Sequence, residues 1–347
     1  MFGGFGVKPA SQLNEFLEFD QYTFQWQKSN WSGDIPKQGL YGNTMQVYKN
    51  SFIIFGGAES QSNVTNQTLI CNIPTKYVQQ IRTIGDIPDP RKNHVAFTMG
   101  KSMLIHGGKN MRKQALDDLW NLDLNSQKWM KIQQDNQINS EQIQNIYPIG
   151  VSYHRAIAVF HPERKNIGLF KGSEKSYRNK NLIKKEGIYF YGGLDNEQNI
   201  IDDLLLLKLE NNQHNIAQWE KIQTEGKNPG KIYSHSMEFI QNQGLIIIYG
   251  GVKQISDSHQ EMTDEIYILE LSNLNWIKGV YKGGIQAGPR QNHLSFVIDN
   301  QMYIFGGINI QGFVSNETFR LELKRRYNKI RTNKVIRNGK TERISEI

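Results

Sequence analysis

Six times the chain writes a short apolar run and closes it with two glycines. The runs are Met1-Phe2, Ser51 to Phe55, Ser102 to His106, Gly187 to Tyr191, Leu245 to Tyr249 and Met302 to Phe305, and the pairs that follow begin at Gly3, Gly56, Gly107, Gly192, Gly250 and Gly306. Runs of this length, rich in β-branched and aromatic residues and ended by Gly, read as strands. A glycine pair at a fixed place after a strand marks positive φ or an approach too close for a Cβ. The spacing is about fifty residues, with one interval of 85.

The third unit shows what repeats. A turn-rich stretch, Asp86 to His94, leads to a short strand a at Val95 to Met99. Gly100-Lys101 turns the chain into strand b, Ser102 to His106. A polar loop after Gly107-Gly108 leads to strand c, Asp117 to Leu124, and Asn125-Ser-Gln127 turns it into strand d, Lys128 to Ile132. This is a four-stranded antiparallel meander. The other units lie over it: a strand-d aromatic stands at Trp26, Tyr77, Trp129, Trp219, Trp276 and Tyr327. A polar residue leads strand a at Asn43, His94, His154, His235 and His293. In the fourth unit His154 to Phe160 makes an ordinary strand a, but strand b arrives only at Ile188. Residues 161–187 are therefore an insertion, and it accounts for the long interval.

Meanders too small to bury both faces alone must pack on one another around an axis. The reading is all-β: a β-propeller of six four-stranded blades over residues 1–330, with a basic C-terminal tail at 331–347. The pattern resembles the kelch family, whose repeat joins a strand-ending Gly-Gly to a downstream Trp and an upstream Pro-Arg-x-x-His-like segment, as in Pro90-Arg91-Lys-Asn-His94. The resemblance covers nearly the whole chain. It departs in strand c, where the family's usual Tyr is replaced by Phe19, Cys71, Leu122, Leu207, Leu269 and Leu321.

The formal charge of +8 is unevenly placed. Residues 324–347 carry nine Lys/Arg and two Glu, and 161–187 carry eight Lys/Arg and three Glu, which leaves the remainder at −4. The basic character belongs to two appendages, so nucleic acid is not the expected partner. One cysteine, Cys71, excludes an internal disulfide framework and fits a reducing, cytoplasmic setting. No apolar run is long enough to cross a bilayer, and no leader peptide is read at the start.

Candidate chemistry is sparse. The histidines of the repeated slot stand one per blade, without the short spacings of zinc sites, and are read as structural; no metal or cofactor is expected. Asp117-Asp118 and Asp202-Asp203 are adjacent strand residues facing opposite ways, so they do not form a catalytic pair. Cys71 fills an apolar slot and is read as packing. No phosphate loop, metalloprotease or dinucleotide motif is present. The copper oxidases that share this fold need a Tyr–Cys cofactor that cannot be assembled from these residues.

Recognition remains. In an a-b-c-d meander the b–c and d–a loops emerge on one face. Arg91, Lys92, Asn93, Tyr153, Tyr233, Ser234, Arg290, Gln291 and Asn292 therefore share a rim with the loops after each Gly-Gly. The family resemblance implies that such a rim, with its arginines, receives acidic peptides; Leu40, Val151 and Ile232 replace Arg in the other blades. The insertion, with Lys171, Lys175, Arg178, Lys180, Lys184 and Lys185, falls on the opposite face and offers a second basic surface. The expected function is a non-catalytic interaction scaffold or adaptor, a free-standing effector or a subunit of a larger, cytoskeletal assembly. Its partners are proteins with acidic segments, and homo-oligomerisation is not indicated. The alternative is a kelch-like enzyme with a small-molecule site at the channel mouth.

The first blade has no strand a. Met1-Phe2 reads as the stub of strand b, Asn14 to Phe19 as strand c and Phe24 to Lys28 as strand d. Repeat spacing carries the tail to Ile344, so residues 344–347 are expected to close blade one, the other reading being a strand lying upstream.

Overall fold

The computed structural model describes residues 1–7, 10–135, 149–161, 182–209, 216–281, 286–324, 329–337 and 340–342. They form a β-propeller of six blades. Blades two to five have strands a to d at Thr44–Tyr48, Ser51–Phe55, Thr68–Asn72 and Tyr77–Ile81; Val95–Met99, Ser102–His106, Leu119–Asp123 and Lys128–Lys131; Arg155–Val159, Gly187–Tyr191, Leu204–Leu209 and Ile216–Lys221; and Ser236–Ile240, Leu245–Tyr249, Ile266–Glu270 and Asn275–Lys278. Blade six runs Leu294–Ile298, Gln301–Phe305, Thr318–Lys324 and Lys329–Arg337. Every pairing in this order is antiparallel, and the a strands of successive blades adjoin around the axis.

Each of these blades carries a fifth strand that was not anticipated. Ser32–Gly33, Ile84–Gly85, Gln133–Asp135, Glu225–Gly226 and Val280–Tyr281 leave the d strand of one blade and pair in parallel with the d strand of the next. The outer edge of each blade is thereby covered by its predecessor. The sequence does carry a signal. Gly33, Gly85 and Gly226 stand seven or eight residues after the d-strand aromatic, and a Cβ on Gly85 would lie 2.4 Å from the Trp129 carbonyl oxygen.

The core is a set of layers between blades. Among the described residues there are six clusters, one for each pair of neighbours around the ring. Strand b supplies both of its faces to these layers, which is why it reads as an unbroken apolar run. Ile53 and Phe55 face blade three, for example, while Ile54 packs with blade one. The d-strand Trp packs on the last residue of strand b in the preceding blade: Trp129 on Phe55 at 5.0 Å, Trp219 on His106 at 5.1 Å and Trp276 on Tyr191 at 5.7 Å.

The same contact closes the ring. Trp26 of blade one lies 4.4 Å from Phe305 of blade six, and its Nε1 donates to Thr318 Oγ1 at 2.8 Å. Phe19 and Phe24 complete the layer against Phe296 and Tyr303. Blade one consists of strand c at Phe16–Asp20, strand d at Gln25–Ser29 and a stub in which Phe2 bridges to Phe16. The expected closing segment, 344–347, lies outside the described residues; Lys340–Glu342, just before it, pairs with the d strand of blade six.

Candidate functional site at the loop-bearing mouth

The glycine pair and the histidine slot are one device. The imidazole of each blade fills the space beside the first glycine of the blade before it. His94 Cε1 lies 3.0 Å from the position of a Cβ on Gly56, His154 Cε1 2.9 Å from that on Gly107, His235 Cε1 2.7 Å from that on Gly192 and His293 Cε1 2.9 Å from that on Gly250. The second glycine clears room for its own blade's slot residue, whose Cβ lies 2.7 to 2.8 Å from the corresponding point on Gly57, Gly108, Gly193, Gly251 and Gly307. All four imidazoles, and His106, are buried. Burial holds His94 and His293 down at about 3 and His106 at about 4, and His154 and His235 well below the ordinary value, so the wedges are neutral.

Immediately before the slot the chain is left-handed. Gly42, Asn93, Tyr153, Ser234 and Asn292 have φ between 54° and 66°. Their backbones form a chain of hydrogen bonds around the mouth: Asn93 N–H donates to the Gly42 carbonyl at 2.8 Å, Tyr153 to Asn93 at 3.1 Å, Ser234 to Tyr153 at 3.0 Å and Asn292 to Ser234 at 3.1 Å. Such φ values in Tyr and Ser persist only where the surroundings enforce them. Two residues before the slot the chain bridges to the loop after Gly-Gly, as Tyr41 to Ala58, Lys92 to Lys109 and Gln291 to Ile308. The d–a and b–c loops therefore share one face, as the sequence implies.

The expected rim arginines are not on the surface. Arg91 is completely buried: its guanidinium grips Asp118 with Nη1 and Nη2, at 2.5 and 2.8 Å, and Nη1 also donates to the Gly107 carbonyl. Arg290 is buried over the Phe319 ring and donates to the carbonyls of Gly306 and Ala287. Both tie the loop before the histidine slot to the end of strand b, so they are withdrawn from the candidate contact surface, as is the buried Ser234. Asp118 is accordingly a structural partner, and Trp120 Nε1 also donates to it.

What remains is a cluster of lysines and tyrosines. Lys92 Nζ donates to Tyr41 Oη at 2.9 Å and sits over the Tyr41 ring. Lys109 Nζ sits over Tyr153, and Tyr153 meets Tyr233 edge-on at 6.3 Å. Asn93, Gln291 and the exposed Asn292 extend the patch. Burial and the charge of Lys92 pull the Lys109 ammonium below its usual range. Tyr41 and Lys109 escaped the sequence reading. Each is reached by counting, two residues before the slot or one after Gly-Gly.

Of the insertion residues, Lys171, Lys175, Arg178 and Lys180 lie outside the described residues. Lys184 is exposed, its N–H bonded to the Leu271 carbonyl, and Lys185 pairs with Glu220. Leu271 follows strand c and Leu182 touches Gly244 in the a–b turn of blade five, so this stretch lies on the face opposite the mouth.

For catalysis the geometry offers little. Among the described residues no group of three or more His, Cys, Asp or Glu is placed to hold a metal ion. The pocket beside His106, His154, Phe190 and Trp219 has about 20 Å³, room for one water. Burial pushes the Cys71 thiol up to about 12, leaving it inert as a nucleophile. No helix of the described residues is long and apolar enough to cross a membrane.

Compared with known proteins, the family model for the KLHDC2/KLHL20/DRC7 Kelch-repeats domain matches residues 1–159 and 180–342. The Host cell factor homolog hcf-1 of Caenorhabditis elegans is 24% identical over 289 residues, 80% of this chain and 32% of that protein. Human Host cell factor 2 is 24% identical over 297 residues, 81% of this chain and 32% of that protein. Acyl-CoA-binding domain-containing protein 5 of Arabidopsis thaliana is 24% identical over 253 residues, 65% and 37% of the two chains. The chain thus spans about a third of the length of these curated relatives. Among solved structures, that of YjhT matches with a TM-score of 0.66 at 14% identity, covering 95% of this chain and 93% of that one, a likeness of fold.

Proposed function

The chain belongs to the kelch-repeat family, and on that premise we propose that it is a non-catalytic protein-interaction propeller that binds its partner at the mouth. The observation that carries the reading is the Lys92–Tyr41 and Lys109–Tyr153–Tyr233 patch. Tyrosines offer large contact area with few rotatable bonds and lysines a positive field, which suits an acidic protein segment. Polar Asn93, Gln291 and Asn292 supply its rim. The opposite face, with Lys184, leaves room for a second partner, the arrangement that a scaffold within a larger, cytoskeletal assembly requires. Cytoplasmic residence belongs to the same reading, supported by the single, buried Cys71. The test is charge reversal at the mouth. The Lys92→Glu, Lys109→Glu double variant should retain the parent melting temperature and lose at least tenfold in affinity for the native partner. Unchanged affinity would remove the patch from the function.

A further inference from the structure

Exposed apolar side chains gather at one end of the propeller. Among the described residues twelve large ones are exposed, and five of these belong to b–c loops: Phe5, Met111, Ile255, Ile310 and Phe313, each 47% to 65% exposed. Two stand on c–d turns, Tyr22 and Ile73, and none on an a–b turn. Single exposed apolar residues are ordinary, but a surplus on one face marks a contact surface. The loops present them firmly. Met111 and Ile310 are each third after the glycine pair, and the asparagine before each ties the tip. Asn110 Oδ1 accepts from the N–H groups of Arg112 and Gln114 at 2.9 and 3.0 Å, and Asn309 Oδ1 from those of Gln311 and Phe313 at 3.1 and 2.9 Å. A tip already ordered loses little freedom when a partner covers it.

The tips continue into the patch of lysines and tyrosines. The Phe5 ring meets Tyr41 edge-on at 6.3 Å, Tyr41 holds Lys92, and Lys92 pairs with Lys109 through two backbone bonds, at 3.0 and 2.8 Å. Met111 stands two residues beyond Lys109, and Lys92 and Lys113 both act on the Lys109 ammonium through space. The carboxylates of the b–c loops lie elsewhere: Glu59 in blade two, Asp195 and Glu197 in blade four, Asp257 and Glu261 in blade five. In blade five the loop is a hairpin, Val252–Ser256 with His259–Met262, whose Gln260 accepts from Tyr233 Oη at 3.4 Å. The mouth is thus basic over blade three, carries apolar tips over blades six and one, and presents carboxylates beyond Tyr233.

Resting on the mouth as the contact face, we propose that it receives an extended acidic segment of another protein that carries large apolar side chains beside its carboxylates. The carboxylates meet Lys92, Lys109 and Lys113. The apolar side chains cover Met111 on one side of them and Phe5 and Phe313 on the other. Charge complementarity selects this occupant. An anionic bilayer would meet the five loop carboxylates together with the lysines, whereas a segment places its acids over blade three alone. A purely acidic segment would leave the tips in water. A purely apolar one would take the half-buried Lys92 and Lys109 further from water without giving them a counter-charge.

A displayed library of random peptides is panned against the immobilised full chain, and the most enriched peptide is synthesised with a fluorophore and titrated by anisotropy. Enriched peptides are expected to join Asp or Glu to neighbouring Leu, Ile, Phe, Trp or Tyr, and to bind with saturation. The Met111→Ser, Phe313→Ser variant changes two exposed positions, so it should keep the parent melting temperature and bind about tenfold more weakly. Ile73→Ser, exposed on the opposite face, should bind as the parent does. The Lys92→Glu, Lys109→Glu variant should lose the peptide. Parent affinity in the lysine variant would overturn both the proposal and the mouth as contact face. Loss in the lysine variant with parent affinity in the serine variant would overturn the proposal and leave the mouth standing. Enriched peptides without acids or without apolar residues, or none that saturates by about 1 mM, would also overturn it. So would capture by phosphatidylserine vesicles that the serine variant loses, which assigns the tips to lipid, or a dimer in sedimentation that the serine variant abolishes, which assigns them to a second copy.

Discussion

His154 Cε1 lies 2.9 Å from the point that a Cβ on Gly107 would occupy, and the two residues belong to different blades. The contact recurs at Gly56, Gly192 and Gly250, and it couples two features of the repeat that are some fifty residues apart in the chain. Replacing Gly107 by Ala drives a Cβ to 2.5 Å from the Val151 carbonyl oxygen and 2.9 Å from the imidazole at φ +67°, so it should cost about 3 kcal/mol or more. Among the described residues Gly306→Ala meets one atom, at 3.3 Å, and should cost only the backbone part, about 1 to 2 kcal/mol. Urea denaturation of the two variants checks the order, and equal costs would mean that neither the carbonyl nor the histidine of the next blade is packed against the glycine.

The Arg91–Asp118 pair is a bidentate, buried polar tie inside blade three. Both guanidinium nitrogens reach the carboxylate, and Arg91 has no exposure to water. Arg91→Ala should cost about 3 to 5 kcal/mol, because it leaves Asp118 charged and largely buried. In a double-mutant cycle Asp118→Ala should recover part of that loss. Independent costs would show that the arginine acts through packing alone.

Acid should unfold this protein early. Five buried histidines have folded-state pKa values held below the unfolded value of about 6.5. Their contribution is complete above pH 6.5 and is lost as pH falls from there towards the folded values, because the unfolded chain binds protons first. Glu238 works the other way. Burial raises its carboxyl to about 7, above the unfolded value, so its contribution is present at low pH and lost as pH rises through 7. The net difference is about four protons between pH 6.5 and pH 4.5, an upper bound of roughly 5 kcal/mol per pH unit. The urea midpoint should drop steeply from pH 7 to pH 5.5, and His235→Gln should make the drop shallower. A flat midpoint would show that these histidines are protonated in the folded state.

The seam between blades six and one should open first. Among the described residues its layer contains two buried side chains, Phe24 and Tyr303, against sixteen between blades four and five. Amides of Phe16–Ser29 should exchange with solvent faster than those of Gly187–Tyr191. Equal protection would mean that blade one is held by contacts beyond Trp26, Phe305 and Thr318.

Much of this fold was legible because a propeller repeats its constraints. The glycine pairs, the d-strand Trp and the slot histidines recur at fixed offsets, and each offset became a contact. The parallel fifth strands were missed, since two residues such as Ile84–Gly85 are too short to give a period. The rim was legible in position but not in burial. Arg91 and Arg290 look like surface cations until Asp118, Phe319 and the carbonyls around them are seen in space. Tyr41 and Lys109 are ordinary loop residues in sequence, and only the bridge between d–a and b–c loops brings such positions together.

The central claim is that partners meet the mouth, and site-specific photo-crosslinking tests it most directly. A photoreactive phenylalanine is placed at Tyr233 in the mouth or at Tyr22, which is 86% exposed in the c–d turn on the opposite face. Irradiation in native extract should yield a discrete adduct from position 233, competed by unmodified protein and lost in the Lys92→Glu, Lys109→Glu background, and no such adduct from position 22. An adduct from position 22 alone, or one from position 233 that survives charge reversal, would contradict the account.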